Sequence, residues 1–226
     1  CLQIQATMDP SFNNIVMVYF LAALTGFLLG SIPTGFLVAR QKGVDIRSKG
    51  SGNIGATNVF RNLGWKAGTF VLLMDAFKGW LGCRCAVIFL DTGTADPVLL
   101  LIAGGFAGVL GHNYTPWLRF KGGKGIATSA GVLIALTPWG FLMALIAFLM
   151  AMGFSRYVSL GSIMAGIVLP VAVWGRGEPK PILYICILMG TMAVIKHRTN
   201  IGRIIAGQEP RIGDAKSKGE GEKTCR

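Results

Sequence analysis

The chain has 226 residues, of which 52% are hydrophobic and 14% charged; its formal net charge is +12 and its mean hydropathy +0.57. Soluble domains average about 25% charged residues, which excludes a water-soluble globule. The basic excess is no nucleic-acid footprint, because Lys and Arg gather in the joints between apolar runs, as the positive-inside rule requires of membrane proteins.

Apolar runs at 15–38, 67–90, 97–112, 125–154, 157–174 and 181–195 predict an all-α polytopic membrane protein. Residues 15–207 form one integral-membrane domain. Residues 1–14 are an N-terminal extension expected to be disordered, with Met8 the expected start, and the charged, Gly-rich tail 208–226 is likewise expected to be disordered.

After the first span comes GSGNIGATNVFR, residues 50–61. It offers glycines, the small polar side chains of Ser51, Asn53, Thr57 and Asn58, and Arg61, without a carboxylate. Gly52 and its neighbours let backbone N–H groups approach an anion, and Arg61 adds a fork of donors. Phosphate binding and a flexible connector are both compatible with this composition.

The second span carries Asp75 and Lys78, which reach each other at i,i+3, and Arg84, which is expected to snorkel outward. Cys83 and Cys85 do not have the spacing of a metal pair or a redox motif, and read as small apolar filler.

The third span runs into GHNYTPWLRFKGGKGIAT, residues 111–128. His112 and Asn113 open it, and Lys121, Gly122, Gly123 and Lys124 stand directly before a helix start, where free N–H groups and the helix dipole favour anions. The spacing of a nucleotide-binding P-loop is absent. A positive-inside cap with an interfacial belt of Tyr114 and Trp117 fits equally.

Ser159 and Ser162 in SRYVSLGS, residues 155–162, could donate to a phosphate or cap and pack a helix. In KHRTNIGRIIAGQEPRI, residues 196–212, His197, Asn200 and Arg203 fall three apart and share a face if helical; Lys196 and Arg198 flank them and Glu209 follows. A snorkelling helix end would look the same.

The basic joints, 40–66, 113–124, 155–157 and the segment from 196, belong on the cytoplasmic side. This parity holds only if 125–154 is split at Thr137–Pro138–Trp139–Gly140, where Pro and Gly break a helix. The expectation is seven spans, N-terminus outside and C-terminus inside. The halves, 125–137 and 139–154, are short, about 20 and 24 Å against a hydrocarbon core of about 30 Å. Short spans and polar joints suit a site at the membrane surface.

No carboxylate cluster for Mg²⁺, no H-x4-D pair and no G-x-S-x-G elbow is present. An enzyme here works without a metal, a cofactor or a standard dyad. An organic-phosphate transporter is the competing class, but transporters usually show internal repeats, and none is evident.

GSGNIGATN with Arg61, GHNYTPWLRFKGGKG and KHRTNIGR…G-x-E together resemble the bacterial acyl-phosphate:glycerol-3-phosphate acyltransferases, the PlsY family. DAFKG at 75–79 and SRYVSLGS are similar to that family's segments too. The resemblance implies a seven-helix enzyme of the inner membrane with a cytoplasmic active site. Its substrates are glycerol 3-phosphate and acyl phosphate in a lipid bilayer, and its product is lysophosphatidic acid. It implies Ser51, Arg61, Lys124 and Ser159 around the glycerol phosphate, with His197 and Asn200 near the reacting groups. Gly52, Asn53, Thr57, Asn58, Lys78, His112, Asn113, Lys121, Gly122, Gly123, Lys196, Arg203 and Glu209 join them as candidate substrate contacts. It also implies that a substrate phosphate oxygen takes the proton, with His197 the alternative base. Acyl-chain preference and oligomeric state stay open, a monomer being compatible.

Overall fold

A computed structural model describes residues 10–90 and 95–213. The start of the N-terminal extension, Asp91 in the second joint and the tail beyond 213 lie outside the described residues. Two stretches expected to be disordered are ordered: residues 10–14 form the first turns of a helix, and 208–213 is held by hydrogen bonds to Arg203, Ser159 and Arg156.

Every described element is helical. Helix α1 (Pro10–Ser31) stops at Ile32–Pro33, and α2 (Thr34–Gln41) continues it. The expected single span 15–38 is therefore interrupted, because Pro33 has no N–H to give the ladder. The freed carbonyls find partners: Thr115 Oγ1 donates to Ser31 O at 2.6 Å and Lys78 Nζ to Ile32 O at 2.9 Å.

A 3₁₀ turn at Ile46–Ser48 follows, then α3 (Ala56–Leu63) and the long α4 (Trp65–Leu90). Asp45 caps the 3₁₀ turn through Arg47 N at 3.0 Å, and the Arg47 guanidinium, at 2.7 Å, holds its carboxyl down at about 2. Asp96 caps α5 (Pro97–Asn113). Thr137 separates α6 (Ile126–Leu136) from α7 (Pro138–Ser155): its Oγ1 accepts from Gly140 N and donates to Glu178. The break argued from charge parity is thus present, with Pro138 in the first turn of the new helix. Helices α8 (Val158–Gly175), α9 (Lys180–Lys196) and α10 (Arg198–Ile205) complete the described chain.

A helix occupies each of the seven predicted positions. By length and composition four qualify as spans, or five if the bent pair α9–α10 counts as one. Helix α4 carries Lys66, Asp75, Lys78 and Arg84, and α6 is only 11 residues long.

Helix α1 packs on α5 and α4, α4 on α6, and α8 between α7 and α9. Glycine makes the first contact possible: a Cβ at Gly26 would collide with the Gly104 carbonyl. The main core joins α4 through α9 around Val109, Val132, Leu169 and Met189. A second core of Ala39, Ile46, Ile54, Val59, Val71 and Leu118 supports the 50–61 segment. Arg84 stays exposed, 5.8 Å from the Trp80 ring centroid, and Cys83 is core filler.

Candidate active site

Four joints converge on one polar cavity of about 150 Å³. The 50–61 segment is organised by Asn58, which is 2% exposed. Its Nδ2 faces the carbonyls of Ile46, Lys49 and Asn53, and its Oδ1 accepts from Ser51 N and Asn62 Nδ2. Asn53 Oδ1 accepts from Gly55 N at 2.7 Å. These bonds open α3 toward the cavity with Ser51, Thr57 and Arg61 on its lining. The free N–H groups at a helix start favour an anion there.

The 121–125 joint does more than the anion site or positive-inside cap expected of it. Gly122 N donates to Asn113 O at 3.3 Å and Gly123 N to His112 O at 3.0 Å. A Cβ on Gly123 would collide with the His112 ring, and one on Gly122 with the His112 carbonyl. The two glycines let the joint lie flat on the end of α5. Gly125, at φ 79, then turns the chain into α6. Lys124 is thereby aimed inward, donating to Asn200 Oδ1. Burial pulls its ammonium down to about 8; Glu209 opposes this, while Arg203 and Arg61 add to it.

Helices α9 and α10 meet at 51°. His197, at the corner, has Nδ1 2.8 Å from Ala193 O, so Nδ1 carries the proton and Nε2 keeps its lone pair. Glu209 gathers the rest. Its Oε1 accepts from Asn200 Nδ2 at 2.6 Å and Ser159 Oγ at 2.8 Å, and its Oε2 from Arg203 Nε at 2.7 Å. Burial pushes its carboxyl up, but the Asn200, Arg203 and Ser159 donors outweigh it and hold it below the ordinary value. Because Glu209 takes the Asn200 amide nitrogen, the amide oxygen is left to face Lys124.

Ser51, Arg61, Lys124, His197 and Asn200 all line the cavity, with Asn53, Thr57, Asn58, His112, Ser159 and Glu209. The other candidates do not. Lys78 is held by Asp75 at 2.8 Å and the Ile32 carbonyl, so it caps the α1–α2 break instead of meeting a ligand. Lys196 lies 3.8 Å from the Tyr114 ring centroid. Arg203 acts through Glu209, Lys121 faces outward, and Gly52, Asn113, Gly122 and Gly123 shape backbone. Asn58 lines the cavity, yet its amide is already engaged. Sequence reading missed Leu72, Phe148 and Val158, which flank the cavity. Apolar residues within apolar spans carry no signal. Asp75, which also lines it, was noticed only as an ion-pair partner.

Beyond Thr57 and Arg61 the cavity opens into a larger groove of about 1030 Å³, lined by Phe60, Leu72, Phe148, Met152 and Ile212 among others. Among the described residues no group of three or more His, Cys, Asp or Glu could hold a metal.

Residues 20–207 match the family model described as glycerol-3-phosphate acyltransferase. The chain belongs to that family. The glycerol-3-phosphate acyltransferase of Geobacter sulfurreducens is 44% identical over 187 residues, covering 82% of this chain and 93% of its own. That of Trichlorobacter lovleyi is 43% identical over 186 residues, with the same coverage. The crystal structure of PlsY, an integral membrane glycerol 3-phosphate acyltransferase, in its glycerol 3-phosphate form superimposes with a TM-score of 0.78 at 40% identity. It covers 86% of this chain and 96% of PlsY. The lysophosphatidic acid form gives 0.76 and 39%, with 86% and 95% covered. The chain is an integral membrane acyltransferase, and of the two classes left open by its sequence the transporter falls away.

Proposed function

We propose that this chain transfers an acyl group from acyl phosphate to the sn-1 hydroxyl of glycerol 3-phosphate, releasing phosphate and lysophosphatidic acid. The observation that carries the reading is a cationic, donor-lined cavity opening directly into an apolar groove. Arg61, Lys124, Ser51 and the start of α3 can hold phosphate; the groove can hold an acyl chain.

Two phosphate-bearing substrates repel unless neutralised, which is why the site presents cations. The glycerol hydroxyl attacks the acyl carbon, the acyl carbon–oxygen bond breaks, and the proton passes to an oxygen of the substrate phosphate. His197 Nε2, held as an acceptor, takes the proton of the glycerol's other hydroxyl in a hydrogen bond and so orients the substrate, leaving the attacking hydroxyl free to give its proton to the phosphate. A preorganised donor facing the charge that develops on the carbonyl oxygen typically contributes about 2.7–4 kcal/mol. Asn200 fixes Lys124, and Glu209 with Ser159 fixes Asn200. The decisive test is turnover of glycerol 3-phosphate with acyl phosphate by purified protein in micelles; no lysophosphatidic acid would overturn the reading.

Titration of Lys124 gives a signed prediction. Its ammonium is charged below about 8 and neutral above. KM for glycerol 3-phosphate should stay flat up to that pH and then climb about tenfold per pH unit. The substrate phosphate, with its second pKa near 6, does not change charge there. Lys124→Arg should abolish the climb; a climb that persists in the variant assigns it elsewhere.

The chemistry asks nothing of a metal, since the mixed anhydride is already activated. Excess EDTA is expected to leave the rate intact, and a loss restored by added Mg²⁺ would contradict this.

The site is placed at the cytoplasmic face of the inner membrane, with the N-terminus outside. Convergence of the basic joints on one cavity supports a common side for them, and the positive-inside rule makes that side cytoplasmic. In a background without native cysteines, Lys121→Cys should label from the cytoplasm and Lys180→Cys from outside. The reverse pattern would invert the topology.

A further inference from the structure

Past α10 the chain crosses the mouth of the site and is tied down as it goes. Gln208 N and Glu209 N both donate to Arg203 O, and the Glu209 carboxylate is buried in the cavity. Pro210 O accepts from Arg61 Nη2 at 3.1 Å. Arg211 Nε donates to Tyr157 Oη at 3.1 Å, its guanidinium 5.1 Å from the ring centroid. Ile212 is held on both sides: its N–H donates to Arg156 O at 2.8 Å, and its carbonyl accepts from Arg156 Nε at 2.9 Å and Nη2 at 2.6 Å.

Arg156 adopts φ 63, a left-handed conformation uncommon for a residue with a Cβ. That turn brings both its carbonyl and its guanidinium to one residue of the crossing segment. Pro210, Arg211, Ile212 and Gly213 line the apolar groove together with Phe60, Leu72, Phe148 and Met152. The family-model match ends at residue 207, before this segment begins.

We propose that Pro210–Gly213 is a latched strap forming the outer wall of the acyl groove, with Arg156 as its latch. Through this wall the enzyme reads the length of the acyl chain. The proposal rests on the acyl-phosphate reading above. Each methylene seated in the groove gains its packing contacts only as far as both walls are in place. Arg156 is a positioning residue: it touches the strap, and the strap touches the chain. The segment beyond Glu209 is held by exposed polar contacts, so it can open while Glu209 stays seated.

Two variants separate latch from wall. Arg156→Gly removes the guanidinium, keeps the carbonyl that accepts from Ile212 N–H, and suits a positive φ, so the fold is retained. Ile212→Ser keeps both backbone contacts and removes apolar surface. Hydrogen exchange over 208–213 would be measured beside kcat/KM for acyl phosphates of ten to sixteen carbons at saturating glycerol 3-phosphate. Arg156→Gly should speed exchange at least about tenfold and shrink the rise of kcat/KM with chain length at least about fivefold. KM for glycerol 3-phosphate should stay within about twofold. Ile212→Ser should shrink the rise without changing exchange. An unchanged chain-length profile in both variants, or unchanged exchange in Arg156→Gly, would overturn the proposal. So would a KM for glycerol 3-phosphate that rises as much as the donor's. A wild-type protein inactive with every acyl phosphate would instead overturn the donor assignment, an outcome distinct from a failed strap, which leaves wild-type turnover intact.

Discussion

Offered acyl phosphate and acyl-CoA in turn, with glycerol 3-phosphate as acceptor, the purified chain is expected to use the first and to favour it by at least about a hundredfold in kcat/KM. The expectation follows from what the site holds at the scissile bond. The donor's phosphate lies beside the glycerol phosphate, within the field of Arg61, Lys124 and the start of α3, which line a single cavity. A charge-assisted hydrogen bond contributes roughly 1.5–3 kcal/mol, so losing two of them costs about 3–6 kcal/mol, or roughly 10² to 10⁴ in rate. A thioester puts sulfur where those donors point and accepts poorly from them. Neither His112 nor His197 has an aspartate four or five residues later, so the dyad used with acyl-CoA is missing. Comparable kcat/KM for the two donors would show that the cationic cavity serves glycerol 3-phosphate alone.

Arg61→Lys is expected to lower kcat/KM by roughly ten- to a hundredfold or more, although the charge is kept. Lysine cannot present two parallel donors to a phosphate. Arg61 also donates to the Pro210 carbonyl, so the arginine ties the 50–61 segment to the chain beyond α10. The contrasting variant is His197→Gln. If the substrate phosphate takes the proton, this variant retains measurable activity and its profile of kcat against pH keeps the wild-type shape. A catalytic base would behave otherwise: its removal deletes the acidic limb and costs about 10² to 10⁴ in rate. Nδ1 of His197 is committed to Ala193 O, so glutamine, with its own acceptor oxygen, is the substitution that best preserves an orienting role. Loss of the acidic limb in His197→Gln would make the imidazole the base.

The site is a chain of dependence more than a set of independent contacts. Glu209 holds Asn200, Asn200 holds Lys124, and Ser159 and Arg203 hold Glu209. Such networks are non-additive. Removing Glu209 releases three donors at once, so its substitution cannot be read as loss of a single contact.

Much of this was legible in the residues themselves. Long apolar runs with few charges force helices, because backbone groups in a bilayer must pair within the segment. The asymmetry of Lys and Arg required 125–154 to be split and the breakers at Thr137–Pro138–Trp139–Gly140 showed where; the structure separates the two helices at Thr137. The glycine-rich, carboxylate-free segment at 50–61 and the cations at 61 and 124 were compatible by composition with phosphate binding and equally with ordinary cytoplasmic joints; the resemblance of the whole motifs to a family, not composition, chose between them. What composition cannot convey is which groups are already engaged. Lys78, paired with Asp75 by its spacing and also counted among the substrate contacts, keeps Asp75 and additionally caps the carbonyl freed by Pro33; Gly122 and Gly123, expected to favour an anion before a helix start, are the clearance for His112. Asn58 looked like a donor to substrate and is the knot of its own segment. Asp75 apart, the partners lie far along the chain or within an irregular turn, so no local spacing encodes them. Only tertiary packing decided which polar groups bind one another and which are left facing the cavity, because a buried donor or acceptor takes whatever partner the fold brings within reach.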